Sequence, residues 1–118
     1  MRFGLIGYGL FGAHHANAIA NCVDAELAAI AVRSEASQQS ARAAHPTAEV
    51  LGDYRRLIER DDIDVVSIVA PNKLHYEIGK AVLESRKHLL LEKPMALRME
   101  HCDELVALAE ANQLVLAV

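Results

Sequence analysis

At 118 residues the chain is the size of one domain. Being 53% hydrophobic and 24% charged, it is too apolar for disorder, yet no apolar run nears the roughly 20 residues that cross a bilayer. Its 12 Lys+Arg against 16 Asp+Glu give a net charge of -4 with no basic stripe, which argues against a nucleic-acid binder or a protein held on an anionic membrane surface.

The pattern along the chain alternates short apolar runs with longer helical stretches. Arg2 to Ile6 ends in glycine and predicts a buried parallel strand; with Met1 it is too short and glycine-rich for a signal peptide. Phe11 to Cys22 is alanine-rich and helical, and Leu27 to Val32 is a second strand. Ser34 is placed to cap a helix running to about Ala44, which Pro46 stops. Glu49 to Leu51 is a short third strand, and Asp53 caps a helix over Tyr54 to Glu59. The basic pairs Arg55-Arg56 and Arg86-Lys87 sit among acids and predict solvated faces.

Asp64 to Ala70 is the most β-branched stretch and a fourth strand, broken by Pro71 and Asn72. A helix over His75 to Ser85 groups Ile78, Val82 and Ser85, with Leu83 beside them. His88 to Leu91 is a fifth strand. Arg98 to Ala111 is a helix with Cys102, Leu105, Val106, Leu108 and Ala109 inward, and Leu114 to Val118 is a sixth strand. This alternation is the signature of an α/β fold, a doubly wound parallel sheet of about six strands with helices on both faces. The cysteines, Cys22 and Cys102, lie far apart, so a reducing, cytoplasmic setting without disulfides is expected. No CxxC or HExxH spacing accompanies them, and no metal site is expected.

Gly7-Tyr8-Gly9-Leu10-Phe11-Gly12 is a G-x-G-x-x-G loop between the first strand and the first helix. Gly7 allows the tight turn, Gly9 lets the backbone approach a pyrophosphate, and Gly12 lets helix and strand pack closely. The helix N-terminus offers free N–H groups to phosphates. A dinucleotide-binding Rossmann fold is therefore expected. About 20 residues on, an Asp or Glu would bind the ribose 2′-hydroxyl of NAD, but the sequence has Val32-Arg33-Ser34. Arg33 can pair with a 2′-phosphate and Ser34 can donate to it, which favours NADP over NAD. In the other reading Arg33 is a solvated loop charge stacking on adenine, with mixed cofactor use.

Ligands of open α/β sheets sit beyond the carboxyl ends of the strands. Pro71-Asn72-Lys73-Leu74-His75 and Glu92-Lys93-Pro94 fall there too. Lys93, just past a buried strand, can donate to a substrate oxygen or exchange a proton with it, with Glu92 orienting it. A surface ion pair explains the spacing equally well.

The Gly7–Gly12 loop, Ala70-Pro71-Asn72 with His75, and Glu92-Lys93-Pro94, in that order, resemble the Gfo/Idh/MocA family of oxidoreductases along all 118 residues. The resemblance implies NAD(P)-dependent oxidation of a hydroxyl, or reduction of a carbonyl, on a sugar, cyclitol or related small molecule by hydride transfer. It implies that Gly7, Gly9 and Gly12 hold the pyrophosphate, with Tyr8, Leu10 and Phe11 in the same loop, and that Arg33 and Ser34 meet the adenosine ribose. Ala70, Pro71, Asn72 and His75 would line the cofactor cleft. Lys93 would be the catalytic lysine, Glu92 its cofactor-side neighbour, and Pro94 a cis proline. His15 matches a family histidine but is expected to serve helix packing, and with His14 it is left outside the site.

Residues 1–118 would then be the NAD(P)-binding domain, without the substrate domain that supplies the partner acid/base groups. Alone it is expected to bind cofactor without turnover. The apolar strand at Val118 suggests a chain cut at a domain boundary, and exposed apolar surface suggests a homo-oligomer. Two alternatives are a stand-alone non-catalytic NAD(P)-binding or sensor module and a partner-binding domain whose loop holds no ligand.

Overall fold

The computed structural model describes residues Met1–Val118. Six parallel strands form one sheet, β1 (Arg2–Ile6), β2 (Glu26–Ala31), β3 (Glu49–Leu51), β4 (Val65–Ile68), β5 (His88–Leu91) and β6 (Leu116–Ala117), in the order β3-β2-β1-β4-β5-β6. The connections carry α1 (Leu10–Ala20), α2 (Glu35–Ala44), α3 (Tyr54–Ile58), α4 (His75–Glu84) after a short 3₁₀ turn at Asn72–Leu74, and α5 (Met99–Ala111). No helix is long and apolar enough to cross a membrane.

Alternation along the strands sends side chains to opposite faces. Leu5 and Ile30 join Ala16, Ile19 and Ala41 of α1 and α2 in one core. Ile6, Ala29, Val66 and Ile68 join Leu57, Val82, Leu83 and Leu105 of α3, α4 and α5 in the other. Each fully buried aliphatic side chain contributes about 1.5–3 kcal/mol. At Gly4 an added Cβ would come within 2.5 Å of Leu57 Cδ2, so the missing side chain seats α3 on β1.

Two local caps hold as expected. Ser34 Oγ accepts from the Ser37 N–H at 3.2 Å, and Asp53 Oδ1 accepts from the Arg55 N–H at 3.0 Å. Other expectations are corrected. Val106 is 41% exposed, and only Leu105 and Ala109 of α5 are buried. Strand β6 has two residues rather than five; before it, the Val115 carbonyl still accepts from the Leu89 N–H at 2.9 Å, but the Val115 N–H donates to His88 Nδ1. Lys87 is buried, not solvated: its ammonium donates to the carbonyls of Arg60 (2.6 Å) and Ile63 (3.1 Å) beyond α3. Burial pushes its amine below the ordinary lysine range.

Candidate functional site

The strand order reverses between β1 and β4, whose following segments part and open a cleft at the carboxyl edge of the sheet. The cleft is a cavity of about 900 Å³. Of the residues singled out in the sequence, Gly7, Tyr8, Gly9, Leu10, Phe11, Gly12, Arg33, Ser34, Ala70 and Pro71 line it.

The three loop glycines occupy three different environments. Gly7 has φ 97°, and a Cβ there would press on the Val69 carbonyl, so the turn at the end of β1 requires glycine. A Cβ on Gly12 would press on the Gly7 carbonyl, where α1 crosses the loop. Gly9 has nothing within 4 Å and opens onto the cleft. Gly9 is also the N-cap of α1, with no side-chain cap, and the first turn carries no acidic residue. The first helical bond runs from the Ala13 N–H to the Gly9 carbonyl at 2.9 Å, so the N–H groups of Leu10, Phe11 and Gly12 have no partner within the helix. Uncommitted donors at the positive end of a helix dipole, beside an open Gly9, fit a dinucleotide pyrophosphate.

The rest of the cleft lining carries two arginines, Arg33 and Arg55, and two carboxylates, Asp53 and Glu77. Arg33 is exposed after β2, and Gln38 Nε2 pins that turn by donating to the carbonyls of Val32 (3.1 Å) and Arg33 (3.3 Å). Arg55, exposed as expected, also lines the cleft, 3.5 Å from Asp53 and 5.0 Å from the centroid of the Tyr54 ring. Its place follows from the Asp53 cap, which starts α3 at the carboxyl edge of β3. No carboxylate follows β2 directly; the nearest in sequence, Glu35, lies in the first turn of α2.

Asn72, His75, Glu92, Lys93 and Pro94 do not line this cleft. Asn72 is exposed in the 3₁₀ turn. His75 is fully buried, and its ring joins the carbonyls of Ala70 (2.8 Å) and Pro94 (2.7 Å). Instead of facing the cleft, it braces the loop after β4 against the loop after β5. The Lys93–Pro94 peptide is cis. Lys93 is exposed, and its ammonium has no ion-pair partner.

Glu92 does not orient that ammonium. Its Oε1 lies 3.0 Å from Nε2 of His15, and its Oε2 accepts from the Lys93 backbone N–H at 3.2 Å. The hydrogen bond with His15 is the main reason the Glu92 carboxyl is held below its ordinary value. Nδ1 of His15 lies 2.9 Å from Oγ of Ser67, a fully buried residue of β4. His15 therefore bridges α1, β4 and the loop after β5, a role not read from sequence. The available signal was its position three residues after Gly12, on the helix that starts at the cleft.

Residues 1–118 match the oxidoreductase family, NAD-binding Rossmann fold. The chain is 36% identical over 119 residues to the oxidoreductase YdgJ of Escherichia coli (strain K12), covering 100% of this chain and 34% of that protein. It is 31% identical over 116 residues to scyllo-inositol 2-dehydrogenase (NADP(+)) IolU of Bacillus subtilis (strain 168), covering 98% and 35%. The crystal structure of biliverdin reductase from Synechocystis sp. PCC 6803, in complex with biliverdin and NADP+, superposes with a TM-score of 0.95 at 28% identity, covering 99% of this chain and 37% of that one. The chain spans about a third of the length of the curated relatives it matches.

Proposed function

Because the chain belongs to the oxidoreductase family with an NAD-binding Rossmann fold, we propose that it is the cofactor-binding domain of an enzyme that moves hydride between NADP(H) and a hydroxyl or carbonyl carbon of a sugar, cyclitol or related small molecule. The observation that carries the reading is the start of α1: uncapped, free of acid, and opening through Gly9 onto the cleft. The IolU relative supports the substrate class and the NADP preference.

In this reading the Leu10, Phe11 and Gly12 N–H groups bind the pyrophosphate. Arg33, seconded by Arg55, meets the 2′-phosphate, and the Ser34 hydroxyl, which already accepts from Ser37, retains its proton to donate. Ala70 and Pro71 close the opposite wall. Once bound, the nicotinamide supplies the hydride chemistry. Lys93, whose ammonium is exposed and unpaired, donates to the substrate oxygen and holds the proton exchanged there. Substrate recognition and the partner acid or base belong to the part of the relatives beyond this chain's third.

Binding is read from the intrinsic fluorescence of the reduced nicotinamide, common to NADPH and NADH. Titration is expected to show NADPH binding more tightly than NADH, with Arg33→Ala removing about tenfold of NADPH affinity, the worth of a charge-assisted hydrogen bond. Equal affinity for NADH removes the NADP assignment, and no binding of either overturns the cofactor reading. A panel of polyols and their ketones, offered to the full-length protein, tests the substrate class.

A further inference from the structure

Resting on that reading of Lys93, we propose that His15 is a positioning residue: it holds the Glu92 carboxylate off the Lys93 ammonium, which stays free for the substrate oxygen. Glu92 and Lys93 are adjacent and opposite in charge, yet they form no ion pair. Both carboxylate oxygens have other partners, Nε2 of His15 at 3.0 Å and the Lys93 backbone N–H at 3.2 Å. The His15 ring is itself fixed from behind by the Ser67 hydroxyl at 2.9 Å, inside the sheet. A hydroxyl both donates and accepts, so Ser67 donates to Nδ1 of the neutral Nε2–H tautomer or accepts from Nδ1–H of the imidazolium, and in both forms Nε2 keeps its N–H for Glu92. The nearby His75 cannot substitute, since both its nitrogens face the Ala70 and Pro94 carbonyls. Without His15, the cation nearest Glu92 in sequence is the Lys93 ammonium. The helix that starts at the phosphate cradle thus also sets the electrostatics of the lysine, through a side chain one turn further on.

The test is competitive amine labelling with limiting acetic anhydride, comparing Lys93 with the exposed Lys73 of the same molecule by mass spectrometry. In His15→Ala, labelling of Lys93 relative to Lys73 is expected to fall about two- to fivefold, the effect of one exposed ion pair. Adding Glu92→Gln should restore it. His15→Gln, which presents an amide N–H close to where Nε2–H stood, should label like the unaltered chain. His15→Leu repeats the alanine arm with the helix packing retained, and a thermal melt checks the fold of each variant. Unchanged Lys93 labelling in His15→Ala and His15→Leu, or slow labelling that persists after Glu92→Gln is added, overturns the proposal. No dinucleotide enters this measurement. A chain that fails to bind NADPH therefore removes the cofactor reading without touching the labelling result, and unchanged labelling leaves that reading standing.

Discussion

Two helices begin along the same edge of the sheet and solve the same problem in opposite ways. Every helix start leaves N–H groups without intrahelical acceptors. Helix α2 satisfies them internally: Ser34 Oγ accepts from the Ser37 N–H, and Glu35 sets negative charge in the first turn. Helix α1 does neither, and its cap is a glycine facing open space. With glycine at the cap this start forgoes only a few tenths of a kcal/mol, about 0.3, of available capping, and it leaves its N–H groups open beside the cavity for the outside acceptor we propose. One start is satisfied within the fold, and the other is left open where we propose that the ligand binds.

The largest test removes the geometry beneath α1. Gly12→Val drives a side chain into the Gly7 carbonyl and is expected to cost about 3 kcal/mol, the upper range for overpacking, and to abolish dinucleotide binding. A urea melt that matches the unaltered chain would show that the helix does not need its close approach. A smaller and more selective test makes α1 resemble α2. Gly9→Asp supplies both a cap and a first-turn charge where nothing lies within 4 Å. It should stabilise the fold by about 0.5 kcal/mol while weakening NADPH binding by about 100-fold through like-charge repulsion. Loss of stability together with affinity would mean that Gly9 serves the fold after all. The smallest effect comes from the converse change. Ser34→Ala uncaps α2 and should lower stability by about 1 kcal/mol while weakening NADPH by less than tenfold and leaving NADH unaffected, as read by melting and titration.

The contrast also marks how far local sequence carries. Capping is a contact between residues two or three apart, and Ser34 and Asp53 were legible for that reason. The β-branched run at Val65–Ile68 and the glycine loop between a strand and a helix are equally local signals. What escaped was set across the fold. His15 meets Ser67 and Glu92, 52 and 77 residues away, and periodicity on α1 cannot name those partners. Lys87 looked solvated because its acceptors, the Arg60 and Ile63 carbonyls, become its neighbours only when β5 is laid beside β4. His75 looked like a cleft residue because it follows β4 closely, yet its ring reaches back to the Pro94 carbonyl 19 residues on. Apolar character places Val106 with the core, but α5 packs through the narrower stripe of Leu105 and Ala109.

The reversal of strand order carries a thermodynamic consequence. Residues lining the cleft come from the segments after β1, β2 and β3 on one side and after β4 on the other, so its two walls belong to the two halves of the chain. Between those halves the sheet is joined only by the β1–β4 ladder, four residue pairs long. A molecule that fills the cleft touches both walls and adds contacts across that seam to those of the shared core. Occupancy then adds to folding free energy by mass action, about 2.7 kcal/mol at a hundred times the dissociation constant. In the cell, the ambient concentration of the ligand would therefore help set the domain's lifetime against unfolding.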